Sequence, residues 1–254
     1  MHIETLEHEC QHVTPWHEHT SGQLYWLSQG VIIIETEMAQ LTVTPGSLGW
    51  FPPGLRHRAW VPGVLKGKSI YLNPLSCASF PSNPGAYGAD SFVLALLERV
   101  FQSGQLDSCA DYQNKLLGVL ECEMIRASEL PLQLMLPVDR RARNVADELL
   151  KNPASMLDQA QLAQRWGLSI RTLSRLFRQQ TGLSFSQWRQ QAKIVVSLQW
   201  VLAGEPVSEV AALSGYSNVS AYIDAFRQRF GKTPGQLQSR GGEYQNALWR
   251  SLQE

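Results

Sequence analysis

The chain has 254 residues, 44% hydrophobic and 17% charged, with a formal net charge of zero. That length suits two domains, each with its own core, and the composition excludes a disordered or fibrous protein. The longest apolar runs, "VIII" at 31–34 and "FVLALL" at 92–97, fall far short of a membrane span.

The first fifteen residues carry Glu4, Glu7 and Glu9, so no secretory signal is expected. Cys10, Cys77, Cys109 and Cys122 form no CxxC or zinc-type spacing and read as reduced thiols of a cytoplasmic protein. The zero net charge hides a division. Residues 1–139 hold 7 Lys+Arg against 14 Asp+Glu, and residues 140–254 hold 15 against 8. Only the second half is suited to a polyanion.

In chain order, residues 23–72 read as short β-strands. "QLYWLSQ", "VIIIETE", "AQLTVT", "SLGWFP" and "LKGKSIYL" are rich in β-branched and aromatic residues and separated by Gly, Pro and polar pairs. Such spacing suggests a small barrel or sandwich. Residues 74–90 read as a Pro/Gly/Ser-rich connection. Phe92, Leu96 and Val100 then recur at fours, as do Tyr112, Leu116, Leu120 and Met124, predicting two amphipathic helices joined by "QSGQLDS". Their apolar stripes would pack on the barrel or on a second subunit.

The two prolines of "LPLQLMLPVD", residues 130–139, mark the domain boundary, and from Asp139 the pattern is helical throughout. The expected organisation is a sensor barrel at 1–75, a linker and helix pair at 76–130, and a helical domain at 139–254. The first helix of the last domain stops at Asn152-Pro153. Two helix–turn–helix layouts follow, at about 155–182 and 205–231. Gly167 and Gly215 stand in their turns, and Ser169 and Asn218 are placed to cap their second helices. A joining helix, "FSQWRQQAKIVVSLQWVLAG", is roughly 20 residues and about 30 Å long. That nearly matches the ~34 Å between successive major-groove faces of a duplex, so one chain can read two adjacent grooves.

In such a layout the second helix enters the groove. Leu173, Leu176 and Phe177 form the expected buried stripe of the first, leaving Arg171, Thr172, Ser174, Arg175 and Arg178 outward, with Ser169 at the cap. Arg grips guanine O6/N7 in a fork, and Ser and Thr bond bases or phosphates. In the second unit Tyr222, Phe226 and Phe230 form the stripe, leaving Asn218, Val219, Ser220, Ile223, Asp224 and Arg227 toward DNA.

"LAQRWGLSIRTLSRLFRQQTGLSFSQW" and "GEPVSEVAALSGYSNVSAYIDAFRQRFGKTPGQL" resemble the DNA-binding domain of the AraC family of bacterial transcriptional regulators, over about residues 140–238. The resemblance implies base-reading positions at Arg171, Ser174 and Arg175, and at Val219, Ser220, Ile223 and Asp224. It also implies double-stranded DNA and RNA polymerase as partners. Val196 stands where relatives often carry Arg, and Asp224 where many carry a neutral or basic residue. A carboxylate at 224 accepts from cytosine or repels phosphate, so the first unit is expected to carry most of the affinity.

The acidic half has its own motif. His17-x-His19, Gln23 and Gly30, then "GSLGWFPPGLRH" from Gly46 to His57, match the two cupin motifs in spacing, with Gln23 where metal cupins usually carry Glu. The fold class expected is therefore α+β in two domains: a cupin-like β-barrel with a helical hairpin, then an all-α double helix-turn-helix. Residues two apart on a strand share a face, so His17 and His19 aim together, and the Pro52-Pro53-Gly54 turn delivers His57. Three imidazoles and an amide oxygen suit a divalent zinc, nickel, iron or manganese ion. A metal-free pocket binding a small-molecule effector is the competing reading, with Trp16, Tyr25 and Trp50 as candidate lining.

Two functions follow. One is a transcriptional regulator, a homodimer through the helix pair, that senses with its barrel and reads DNA with its helices. The alternative is a metal-dependent cupin dioxygenase or isomerase. Catalysis needs a general acid or base beside the ligands. Glu18 is the carboxylate of the first motif, and strand parity turns it away. The charge division, the duplication and the helix pair favour the regulator, with no catalytic residues and no membrane association expected.

Overall fold

The computed structural model describes residues 1–105 and 110–238. It divides into two compact units, Met1–Thr36 with Leu41–Gln133, and Glu37–Gln40 with the chain from Leu134 onward. Among the described residues Cys10, Cys77 and Cys122 are free thiols, while Cys109 lies outside them. No described helix is long and apolar enough to cross a membrane.

The first unit is built on antiparallel sheets. Its strands are β1 (His2–His8), β2 (His12–Val13), β3 (Gly22–Gln29), β4 (Ile32–Thr36), β5 (Ala39–Val43), β6 (Ser47–Phe51), β7 (His57–Val61), β8 (Leu65–Leu72) and β9 (Gly85–Gly88). One sheet runs β1-β8-β3-β6-β9 and the other contains β5-β4-β7-β2 in that order. Three of these strands, β1, β2 and β9, lie outside the region read as β from sequence, and the short β2 pairs with β7. β1 pairs along its whole length with β8, and β9, inside the expected 74–90 connection, pairs with β6. The stretch "HIETLEH" is polar enough to resemble a solvated terminus, and the bonds that make it a strand come from β8.

Register assigns the two faces of the first sheet. Gln23 lies opposite Tyr71 and Phe51, and Tyr25 opposite Ser69 and Gly49, so these share one face. Leu24, Trp26, Leu48, Trp50, Ile70 and Leu72 occupy the other and form a core with α1 (Ser91–Gln105) and α2 (Ala110–Arg126). Burying this face stabilises the unit by ~25 cal/mol per Å² of apolar surface removed from water. The helix stripes differ from the fours expected. Val93, Leu96, Leu97, Val100 and Phe101 are buried on α1, whereas Phe92 is 54% exposed; α2 buries Leu117, Leu120 and Met124, with Tyr112 exposed. A strict four-residue step drifts about 40° per repeat around a 3.6-residue helix, so one end of each expected stripe leaves the core. Part of the joint between these helices lies outside the described residues.

The second unit is helical: α3 (Arg140–Lys151), α4 (Gln159–Arg165), α5 (Ile170–Thr181), α6 (Phe185–Leu202), α7 (Val207–Leu213) and α8 (Val219–Phe230) follow a short strand β10 (Gln133–Met135) that crosses the unit boundary. Their starts are chemically specified. Asp139 caps α3, Asp158 with Gln161 and Ser184 with Gln187 form capping boxes on α4 and α6, and Ser169 and Asn218 cap α5 and α8. Leu173, Leu176, Phe177 and Trp188 lie in one core with α3 and α4, and Tyr222 and Phe226 are buried on α8. The turn glycines Gly167 and Gly215 have φ of +65° and +75°, which a side chain disfavours. At Gly215 a Cβ would also sit 2.8 Å from Ala154 Cα.

Candidate functional site

The histidines gather as expected, by a different local route. His17 and His19 lie before β3 rather than on a continuous strand; His17 forms a two-way backbone bridge with His57, at 2.9 Å each way. His19 is anchored by its carbonyl, which accepts from Gly54 N at 2.9 Å. Ring centroids are 4.4 Å apart for His17–His57, 5.2 Å for His19–His57 and 6.0 Å for His17–His19. Gln23 comes from β3, whose first residue is Gly22, where a Cβ would lie 2.4 Å from the Trp50 ring.

All three imidazoles are held in one tautomer. Nδ1 of His17, His19 and His57 lies 2.9, 2.7 and 2.8 Å from the carbonyls of Pro15, Ser21 and Leu55. A carbonyl only accepts, so each Nδ1 carries the hydrogen and each Nε2 presents its lone pair, that of His19 toward Gln23 Oε1. This second bond is the arrangement that orients metal-ligating histidines. His57 is fully buried, and its Nε2 has no hydrogen-bond partner. Burial foremost, against a bond to Leu55, holds its pKa below the usual histidine value. The ligand atoms of the three lie within 4.8 Å of one another, and they are the one such group of three among the described residues. Gln23 Oε1 lies 2.9 Å from His19 Nε2. Ligand atoms on adjacent corners of an octahedral divalent ion with bonds of ~2.1 Å are separated by about 3 Å, so that contact suits shared coordination.

The candidate effector residues separate. Tyr25 is buried on the Gln23 face, where burial pushes its phenol far above the usual range. Trp50 does not line the pocket. It belongs to the helix-facing core, and its indole N–H donates to Pro81 O at 2.7 Å. Trp16 lies beneath the guanidinium groups of Arg56 and Arg58, 5.7 and 5.2 Å from its centroid. Ser69, Tyr71 and Glu4 were not expected. Tyr71 donates to Glu4 Oε2 at 3.2 Å, and Gln23 Nε2 donates to Ser69 Oγ at 3.0 Å. The signal for them was strand parity, which needs the pairing of β1, β3 and β8 to be read.

On α5, Arg171 and Arg175 are exposed, Arg175 steadied by Gln179 Oε1 at 3.0 Å. Ser174 instead accepts from Gln159 Nε2 at 2.7 Å and so ties α5 to α4. Arg178 donates to Gly182 O at 3.1 Å beyond the helix end, and Thr172 shares a 2.9 Å hydroxyl contact with the cap Ser169. On α8, Asn218 Oδ1 accepts from Ser220 N and Ala221 N; Val219 and Ser220 are exposed and Ile223 half-buried. Asp224 is paired with Arg227 at 2.9 Å. Val196 is buried, which removes it from any phosphate role.

Two family profiles match the chain, an AraC-like ligand binding domain over residues 4–103 and a helix-turn-helix domain over residues 162–240. The chain belongs to the AraC family of transcriptional regulators. This AraC-family member is 28% identical over 227 residues to the HTH-type transcriptional regulator NimR of Escherichia coli (strain K12), covering 89% of this chain and 83% of that one. It is 25% identical over 235 residues to the arabinose operon regulatory protein of the same organism, covering 83% and 78%. To the HTH-type transcriptional regulator RipA of Corynebacterium glutamicum it is 39% identical over 99 residues, which is 39% of this chain and 30% of that protein. The AraC-type chain is thus a transcriptional regulator with an N-terminal ligand-binding domain and a C-terminal DNA-binding domain.

Proposed function

We propose that this regulator senses a divalent metal ion at His17, His19, Gln23 and His57 and reads two adjacent major grooves with α5 and α8. The observation that carries the sensing half is the buried, unpartnered Nε2 of His57, beside two further imidazoles whose Nδ1 atoms are likewise turned to carbonyls. A neutral set of three imidazoles and an amide would hold zinc, nickel, iron or manganese more weakly than a set containing a carboxylate. That weakness suits a sensor. Glu4, the carboxylate on the sheet face that carries Gln23, already accepts from Tyr71 and lies 3.1 Å from His2, which supports sensing over acid–base catalysis.

For DNA, Arg171 and Arg175 are the base-reading donors of the first unit, with Val219, Ser220 and Ile223 in the second; Ser169, Ser174 and Asn218 position the helices. α6 has 18 residues, about 27 Å of helix, which supports reading of neighbouring grooves. The regulator acts in the cytoplasm on double-stranded DNA, contacts RNA polymerase, and forms a homodimer. Exposed Phe92, Tyr112, Val119 and Ile125 on α1 and α2 support an interface there.

The test is selection of binding sites from random DNA by the full-length protein, with and without chelator, beside elemental analysis of protein purified without a histidine tag. Stoichiometric metal that disappears in a His17→Ala/His57→Ala variant is expected. Failure to select any sequence overturns the regulator reading; metal-free wild-type protein with an intact effector response overturns the metal.

A further inference from the structure

A glutamine amide has two ends, and the surroundings of Gln23 tell them apart. The Nε2 end lies 3.0 Å from Ser69 Oγ and the Oε1 end 2.9 Å from His19 Nε2. What fixes this choice lies across two strands, at Glu4. An ionised carboxylate only accepts, so the 3.2 Å contact between Tyr71 and Glu4 is a donation by the phenol. Its proton committed, the Tyr71 oxygen is left to accept, and the polar groups placed to donate to it on the same face are Ser69, two residues away on β8, and Gln23, its cross-strand partner. Ser69 is fully buried and therefore finds its partners within the protein. Donating to Tyr71, it must accept from Gln23, and only the NH₂ end of an amide donates.

Register makes the chain possible. Glu4 lies opposite Ser69 in the β1–β8 pair, while Tyr71 lies opposite Gln23 and Ser69 opposite Tyr25 in the β3–β8 pair, so all share one face.

We propose that Glu4, Tyr71 and Ser69 form a donor relay that turns the Gln23 amide oxygen toward the three histidines, making it a metal ligand polarised by the Glu4 charge. The relay rests on the metal reading of the pocket. It answers the departure in the motif: where a glutamate would bring its charge directly to the ion, this chain keeps the charge on β1 and relays its effect through hydroxyls. Tyr71, Ser69 and Glu4 are positioning residues.

The test is titration of chelator-stripped full-length protein with Co²⁺, reading affinity together with the visible absorption that reports the ligand set. Tyr71→Phe and Ser69→Ala should each weaken binding by about 10- to 100-fold, the range for losing an outer-shell partner, and shift the absorption. Glu4→Gln should weaken it in the same direction. Gln23→Glu should bind more tightly than wild type. In that background Tyr71→Phe and Ser69→Ala should lose most of their effect, because a carboxylate has no wrong end. Equal losses in both backgrounds would mean ordinary structural damage, and wild-type affinity and spectrum in Tyr71→Phe and Ser69→Ala would mean that no relay orients the amide. Either result overturns the relay and leaves the metal site standing. Wild-type protein that takes up no Co²⁺, or takes it up equally after His17→Ala/His57→Ala, overturns the metal reading and the relay with it.

Discussion

Lys193, on α6, donates to the carbonyl of Gly215 at 2.9 Å, in the turn between α7 and α8. The α6 helix therefore fixes the α7–α8 turn from its own side chains. Four residues earlier, Arg189 does the same for the segment before α4, donating to Leu157 O at 2.7 Å and to Ser155 O. Burial lowers the pKa of both groups, a sign that these cations serve packing before they serve DNA. Lys193→Met should cost ~1–3 kcal/mol, the penalty of leaving the Gly215 carbonyl without its donor, read by urea unfolding. Gly215→Ala should cost at least ~1 kcal/mol, since it adds left-handed strain to the contact with Ala154.

Arg175→Ala is expected to remove ~1–3 kcal/mol at one base position while leaving the rest of the selected sequence intact. Larger losses from alanine at 218–227 would reverse the ranking of the two units. The measurement is a competition series over single-base operator variants.

Ser174 gives a contrasting pattern. Its hydroxyl is engaged by Gln159 within the protein, so Ser174→Ala should lower affinity evenly across DNA sequences and reduce stability by ~1 kcal/mol. A loss confined to one base pair would return Ser174 to the base-reading set.

Asp224 already neutralises part of the Arg227 charge through their ion pair. Asp224→Asn should therefore raise affinity for unrelated duplexes, with stability changed by less than ~1 kcal/mol because the pair is exposed. Filter binding at several salt concentrations would reveal it, since counterion release makes the affinity fall steeply with salt.

Tyr222 sets an alkaline limit. Burial chiefly, against a 3.0 Å bond to Ser197, raises its phenol above the ordinary value of 10.0. A group whose folded pKa is raised contributes stability that is complete below the unfolded pKa and is lost as pH climbs past it toward the folded one. Denaturation midpoints should thus fall more steeply above pH 10 for wild type than for Tyr222→Phe, which pays ~1 kcal/mol at neutral pH for the missing bond.

The helices of the second unit, α5 and α8 included, are legible in the sequence because every cue is local. Caps at Ser169 and Asn218, glycines in the turns and a 3.6-residue apolar period act within one or two turns of helix. The histidine cluster is half legible. Spacing names His17, His19 and His57, yet their approach rests on the His17–His57 bridge and the Gly54 contact rather than on one strand. Pairing between distant strands leaves no local mark. Only the fold could therefore remove Trp50 from the pocket, by placing it on the helix-facing side of β6, and bring Glu4, from a stretch that reads as a solvated terminus, beside Tyr71. The sequence by itself determined the residue types and the helical grammar; the register of β1 and β3 on β8 decided which polar groups meet, because a one-residue slip would turn each of them to the opposite face.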